Sequence, residues 1–309
     1  MKLLVFICII TFLGNSLGTE NWQYQKIQEN FPIPSDEVAT DVYIVGKAKE
    51  EVLSMLNPSE PFHYETFFEK NLQRFKGVPY GAGASNSVGI DKTLVCTSPL
   101  NCVTLIEMFW AICYTQYQIS QINIPLTQNQ IFNLFLKNLN FIKYYDGLNC
   151  ELHDRIHYFT DALYQLESRG LLENIGAYNG EPIHKKIHFI SGNKKQWAAI
   201  KNWTKIKVIE DNMNCRPRYF YPLARIDDYK LYAKTGDIIA LATDVPGLDV
   251  SHCGYITFRN DSLLFSHASS VQKKVVIEED LCNYLSKRTS ITGIYVYRPL
   301  FQKLNYYSH

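Results

Sequence analysis

The chain has 309 residues, with 31 Lys and Arg against 30 Asp and Glu, so no basic excess suits it to nucleic acid. Hydrophobic residues make up 46% and aromatic residues 14%, enough for one large core or two modest ones. No charge block, low-complexity tract or internal repeat points to a disordered or repeat protein.

The first element is an apolar run, Leu3 to Leu13, preceded by Lys2 and followed by the small residues of Ser16-Leu17-Gly18. It falls short of the roughly 20 apolar residues that a membrane span needs and reads as a removable signal segment. The expectation is a signal peptide over 1–18 and a single domain over 19–309, secreted or periplasmic, with no membrane contact beyond that segment. Eight cysteines occur, and losing Cys8 with the signal leaves seven, an odd number that requires a free thiol or an intermolecular bridge. No pair has CxxC spacing, which gives no support to a zinc site or a redox pair, and no metal or other cofactor is expected.

Residues Ala48 to Leu56 read as partly helical. The stretch HYETFFEKNLQRFKGVPYGAG reads as a helix ending near Lys76, with Gly77 at its C-terminus and Pro79 preventing continuation. A Gly, Ala, Ser and Asn-rich loop follows to about Ile90. Another helix then opens in PLNCVTLIEMFW, capped by either Ser98, with Pro99 at the first position, or Asn101. Either cap leaves Cys102 in the first turn. Cys102, Leu105, Ile106, Phe109, Trp110 and Cys113 share one face, which predicts burial along that stripe. Further helices are expected over 128–138 and 154–170. The segment 175–232 reads as an irregular insert with strand-like pieces, KIHFIS and KIKVIE. From Gly236 onward, GDIIALATD, HCGYITF, LLFSHAS, KKVVIE and GIYVYRP read as an antiparallel meander, making the fold class α+β.

A thiol in the first turn of a helix feels the positive end of the helix dipole, which favours thiolate. The meander supplies two imidazoles. His252 starts one strand and His267 ends the next, with a turn near Arg259-Asn260-Asp261 between them. A two-residue loop at Arg259-Asn260 sets the histidines directly opposite each other; the same loop one step later sets them diagonally on one face. Both registers bring their Cβ atoms within about 5 to 8 Å. A three-residue loop sets them on opposite faces unless a bulge restores parity. A thiol, one His to share its proton and a second His to orient the first follow the logic of a cysteine nucleophile triad. Backbone N–H groups of Cys102 or Val103 are placed to hold an oxyanion. Cys253 is expected on the face opposite His252, in the core, and Asp249 in a turn. Arg155 reads as a salt bridge or cap, or as a ligand for a peptide carboxylate.

Five stretches in order, GVPYGAG (Gly77 to Gly83), NCVTLIE (Asn101 to Glu107), GDIIA (Gly236 to Ala240), GLDVSHCGY (Gly247 to Tyr255) and FSHASS (Phe265 to Ser270), resemble the N-acetylmuramoyl-L-alanine amidase-like family of unknown function, within the NlpC-type papain-like cysteine hydrolases. RIHYFTDAL (Arg155 to Leu163) resembles a segment of the narrower family. The resemblance implies a papain-like fold with the Cys102 helix packed on a C-terminal antiparallel sheet, Cys102 as nucleophile, His252 as base and His267 as the orienting group. It also implies Tyr80 as a substrate or oxyanion contact. The residue before the nucleophile is often Asp in such proteins; here it is Asn101. Cys96, six residues before Cys102, is a thiol whose oxidation with Cys102 would block activity. The expected function is cleavage of an amide bond in peptidoglycan or a muropeptide through a thioester. Acyl transfer with the same three residues, or a non-catalytic glycan- or peptide-binding module, are the alternatives.

Overall fold

The structure, a computed structural model, describes residues 33–37, 39–82, 92–145, 147 and 154–301. The expected signal segment, Cys8, Cys150 and most of the Gly-rich loop lie outside the described residues. The first half holds β1 (Val42–Ile44), α1 (Ala48–Leu53), α2 (Tyr64–Leu72), β2 (Thr93–Val95), α3 (Cys102–Ser120), α4 (Gln128–Lys143) and α5 (Phe159–Ser168). The middle holds β3 (Leu172–Asn174), α6 (Gly176–Asn179), β4 (Glu181–Pro182), α7 (Phe189–Gly192), α8 (Trp203–Cys215), β5 (Tyr219–Pro222) and α9 (Ile226–Lys230). The last third is β6 (Ile238–Thr243), β7 (Val250–Arg259), β8 (Ser262–Ser269), β9 (Lys274–Asp280), α10 (Leu281–Ser286) and β10 (Ile291–Pro299). This is a mixed helix and antiparallel-sheet architecture, α+β.

The large sheet runs β4-β5-β10-β6-β7-β8-β9, with β3 also paired to β10. The meander reading holds for β6 through β9 and needs correction for the last strand. After α10, the chain returns across the sheet and β10 pairs antiparallel with β6 on its far side. Strand order is set by long-range pairing, which the local apolar pattern does not encode.

Helix α3 is the centre of the molecule. The sequence predicts a buried stripe, but every residue from Thr104 to Ile119 is buried, because α4 covers one side and β7 another. A helix apolar on most of its circumference belongs inside a core. Aromatic rings fill the space between α2, α3 and the sheet: Phe68 stands 5.4 Å from Phe109 and 5.3 Å from Tyr255, centroid to centroid. The Tyr255 hydroxyl donates to the Ile106 carbonyl at 3.1 Å, tying β7 to the first turns of α3. The opposite face of the sheet packs Ile239, Leu241, Ile256, Phe265, Leu281 and Tyr284 into a second core.

The KIKVIE piece lies within helix α8, not a strand. Its β-branched residues suggest a strand, but Ile206 and Met213 fall on one helical face and pack with Tyr158, Ile187, Ile190 and Ile200 in a small core of their own. Asn202 caps this helix by accepting from the Lys205 N–H at 3.0 Å. Asp249, expected as a turn residue, is buried and accepts from both the N–H and the hydroxyl of Thr160 at 2.9 Å, stapling the start of α5 to the approach to β7.

Candidate active site

Asn101 is the cap that α3 uses. Its side chain accepts from the Thr104 N–H at 2.9 Å while the Thr104 hydroxyl accepts from the Asn101 N–H at 2.8 Å. This reciprocal pair satisfies two of the free donors at the helix start and fixes Cys102 as its first residue. Cys102 is half-buried. Its thiol is held well below the usual range by a hydrogen bond from Cys253, working against burial, and then by hydrogen bonding to and the charge of His252 and the Cys253 backbone N–H.

The hairpin takes the later two-residue register. Arg259 pairs with Ser262, and the Asn260-Asp261 turn has φ of 50° and 58°, the left-handed pair of a type I′ hairpin. The two imidazoles are therefore diagonal neighbours, and His252 Nε2 lies 2.7 Å from His267 Nδ1 with the rings at 88°. A bulge immediately before His252, where Leu241 pairs with His252 but Ala242 pairs with Val250, twists the strand end. Beyond this bulge both His252 and its neighbour Cys253 reach the sulfur of Cys102. Gly254 follows because the ring of Phe265 and the Ser266 carbonyl would both stand 2.5 Å from a Cβ there.

His267 is fully buried, and its other nitrogen, Nε2, lies 3.1 Å from the Glu279 carboxylate. Glu279 reaches it because β9 carries its own bulge: Phe265 pairs with Glu279, whereas His267 pairs with Val276. Glu279 thus stands on the face shared by Phe265 and His267. Burial, with the charges of His252 and Arg288 adding to it, pushes His267 down to about 3, so the ring is neutral although the charge of Cys102 pulls the other way. A neutral ring donating from Nε2 to Glu279 has a lone pair at Nδ1, which accepts from His252 Nε2–H. That leaves His252 Nδ1 as the nitrogen that serves Cys102.

Tyr80 lies on a segment bridged to Leu100 on one side, with Pro79 bridged to Lys274 on the other. Burial first, then the nearness of Cys102 and Cys253, raises its hydroxyl. The structure therefore gathers Cys102, His252, His267 and Tyr80. Arg155 is not among them: it is buried against α3 with Nη2 at 2.7 Å from Glu107 Oε1, the salt bridge that the sequence also allowed, and it is not presented to a ligand. Cys96 donates to the Pro99 carbonyl at 3.4 Å, and Cys253 is the thiol hydrogen-bonded to Cys102. Cys253 faces the core as expected, but that core is the underside of the site. The burial of Cys253 and its bond to Cys102 raise its own thiol, which stays protonated and donates. Sequence reasoning missed Glu279, since the β9 bulge that aims it leaves no mark in KKVVIEED. Among the described residues, no cluster of three or more His, Cys, Asp or Glu is arranged to hold a metal, and no helix is long and apolar enough to cross a membrane.

Comparison with known proteins matches residues 72–294 to the family described as AmiA-like, N-acetylmuramoyl-L-alanine amidase-like. Among solved structures, an N-acetylmuramoyl-L-alanine amidase from Bacteroides uniformis is similar at 29% identity and a TM-score of 0.64, covering 74% of this chain and 97% of its own. A Bacteroides fragilis protein provisionally named a xylanase aligns at 28% identity and a TM-score of 0.63, over 74% of this chain and 99% of its own. A Legionella pneumophila protein at 16% identity and a TM-score of 0.50 shares the fold over 93% of this chain and 97% of its own. No curated protein matches the chain.

Proposed function

The chain belongs to the N-acetylmuramoyl-L-alanine amidase-like family, and from that premise we propose a cysteine hydrolase that cleaves an amide bond of peptidoglycan or a muropeptide through a thioester on Cys102. The single observation that carries this reading is the His252–His267 pair, joined at 2.7 Å, with His252 close enough to the Cys102 sulfur to lower its thiol. The Cys102 thiolate attacks the amide carbonyl carbon, and the developing oxyanion lies near the first N–H groups of α3. His252 delivers its proton to the leaving nitrogen as the carbon–nitrogen bond breaks. Water then attacks the thioester, His252 takes the proton, and the carboxylic acid leaves with the thiol restored. His267 and Glu279 hold His252 in the tautomer and orientation this shuttle needs. Tyr80, near the sulfur, is the substrate or oxyanion contact.

The fold is read as papain-like, of the NlpC type, since it has a thiol at a helix start packed against an antiparallel sheet that carries the histidines. The bond between muramic acid and L-alanine is preferred over bonds within the stem peptide on the family's name. Glycoside hydrolysis, which the Bacteroides fragilis name suggests, uses two carboxyl groups flanking the bond; a thiol and two imidazoles suit acyl chemistry instead. Peptidoglycan lies outside the cytoplasm, which fits the expectation that residues 1–18 direct secretion and are removed. The test is digestion of purified muropeptides with mass spectrometry of the products. The expected result is one new amine and one new carboxylate from a single amide, lost in Cys102→Ala with the fold retained. Full turnover by that variant would discard the mechanism.

A further inference from the structure

We propose that the cleft beside His252 is a carboxylate-binding subsite for the part of the substrate that departs with the amine, with Arg288 as its anchor; this deepens, and rests on, the amide-hydrolase reading. The cleft has a volume of about 270 Å³ and is lined by Ser251, His252, Ser269, Ser270, Tyr284 and Arg288, among others. Arg288 is half-buried, with its guanidinium 3.4 Å from the centre of the Tyr284 ring. Its Nη1 donates to the Tyr284 carbonyl at 2.8 Å. Nε and Nη2 have no hydrogen-bond partner among the described residues, and no carboxylate there stands within ion-pair distance. Arg155, Arg216, Arg225, Arg259 and Arg298 each pair with an acid. Arg288 instead offers a fixed cation with free donors to an open cleft, among neutral serine hydroxyls.

Tyr284 links this cation to the reacting centre. Its ring is stacked at 17° to that of His252, with the centroids 6.1 Å apart. A guanidinium fixed by stacking, with two donors free, suits a carboxylate oxygen pair better than any neutral group. The location assigns the side. His252 must give its proton to the leaving nitrogen, so the leaving amine lies against His252, and the cleft opens from that residue. The ligand chemistry is therefore an acidic residue near the N-terminus of the released peptide, with its carboxylate on Arg288.

The experiment uses two probes and the full-length protein. The first is a pair of muropeptides that differ in one group, a free carboxylate or a carboxamide on the second stem residue. The second is N-bromoacetyl-glutamate against N-bromoacetyl-glutamine amide, which report on alkylation at Cys102 and require no turnover. Wild type should favour the acid of each pair by about tenfold, through KM for cleavage and through saturation for alkylation. Arg288→Met should erase that advantage in both, with Arg288→Lys restoring part of it and the melting temperatures showing that each variant folds. If neither muropeptide is cleaved but the labels discriminate, the subsite stands and the substrate assignment falls. If muropeptides are cleaved but wild type treats acid and amide alike, or Arg288→Met slows both members of each pair equally, the subsite is overturned and the hydrolase reading stands.

Discussion

His252 Nε2 and His267 Nδ1 meet at 2.7 Å across a sequence separation of 15, because a two-residue turn at Asn260-Asp261 sets them diagonally on one sheet face. The next link, Glu279, orients the second ring from a bulged neighbouring strand. In the proposed mechanism this chain fixes which nitrogen of His252 faces the sulfur. Glu279→Gln keeps an acceptor for His267 Nε2–H and should lower kcat only a few-fold. Glu279→Leu removes the acceptor and should lower kcat by about ten- to a hundredfold with KM little changed. Steady-state kinetics on a cleavable amide separates the two, and equal rates for Leu and wild type would remove Glu279 from the account.

The Cys253 thiol is the largest cause of the lowered Cys102 value. Cys253→Ala removes a donor to the thiolate, so less thiolate exists at a given pH. The acid limb of iodoacetamide alkylation at Cys102 should move up by about one to two pH units, since a hydrogen bond to a charged group is worth roughly 1.5 to 3 kcal/mol. Superimposable rate–pH profiles for wild type and variant would contradict that role.

His267 gives stability a pH dependence of definite sign. Its folded value is about 3 against an ordinary 6.5. Between those values the unfolded chain binds a proton that the folded chain does not. Its contribution is full above pH 6.5 and is lost as the pH falls toward 3. The unfolding free energy from urea titrations should fall further between about pH 7 and pH 5 for wild type than for His267→Gln, by up to about 2 kcal/mol. Equal losses in the two proteins would mean that the imidazole carries no such linkage.

Glu107, on the Cys102 helix itself, and Arg155 form an ion pair with side chains only 4% and 9% exposed. Arg155→Met leaves a buried carboxylate without its partner and should cost about 3 to 5 kcal/mol of stability. The double variant Arg155→Met, Glu107→Leu should recover most of that loss. Chemical denaturation measures both. A single variant that keeps its stability but loses substrate affinity would return Arg155 to the ligand role.

The sequence made local features legible and left long-range ones hidden. Cap chemistry placed Cys102 in a first helical turn, although Ser98 and Asn101 competed until the reciprocal Thr104 bonds decided for Asn101. Alternating apolar runs located β6 through β10, because strand existence is written in short windows. The return of β10 to the far side of β6 is not, since that pairing joins residues about 50 apart. At the site, hairpin arithmetic reached the two-histidine neighbourhood but not its register. Glu279 and the contact of Cys253 with Cys102 depend on bulges in β9 and β7, each a single extra residue with no compositional signature. The apolar stripe on α3 understated its burial because the pattern of one helix does not reveal how many neighbours cover it.

The most direct measurement is the mass of the protein during turnover. Acid-quenched reactions with a cleavable muropeptide, digested and mapped by mass spectrometry, should show the acyl half of the substrate on the peptide that contains Cys102, released by hydroxylamine as a thioester. Product formation with Cys102 unmodified at every quench time, together with undiminished turnover in Cys102→Ala, would contradict the account.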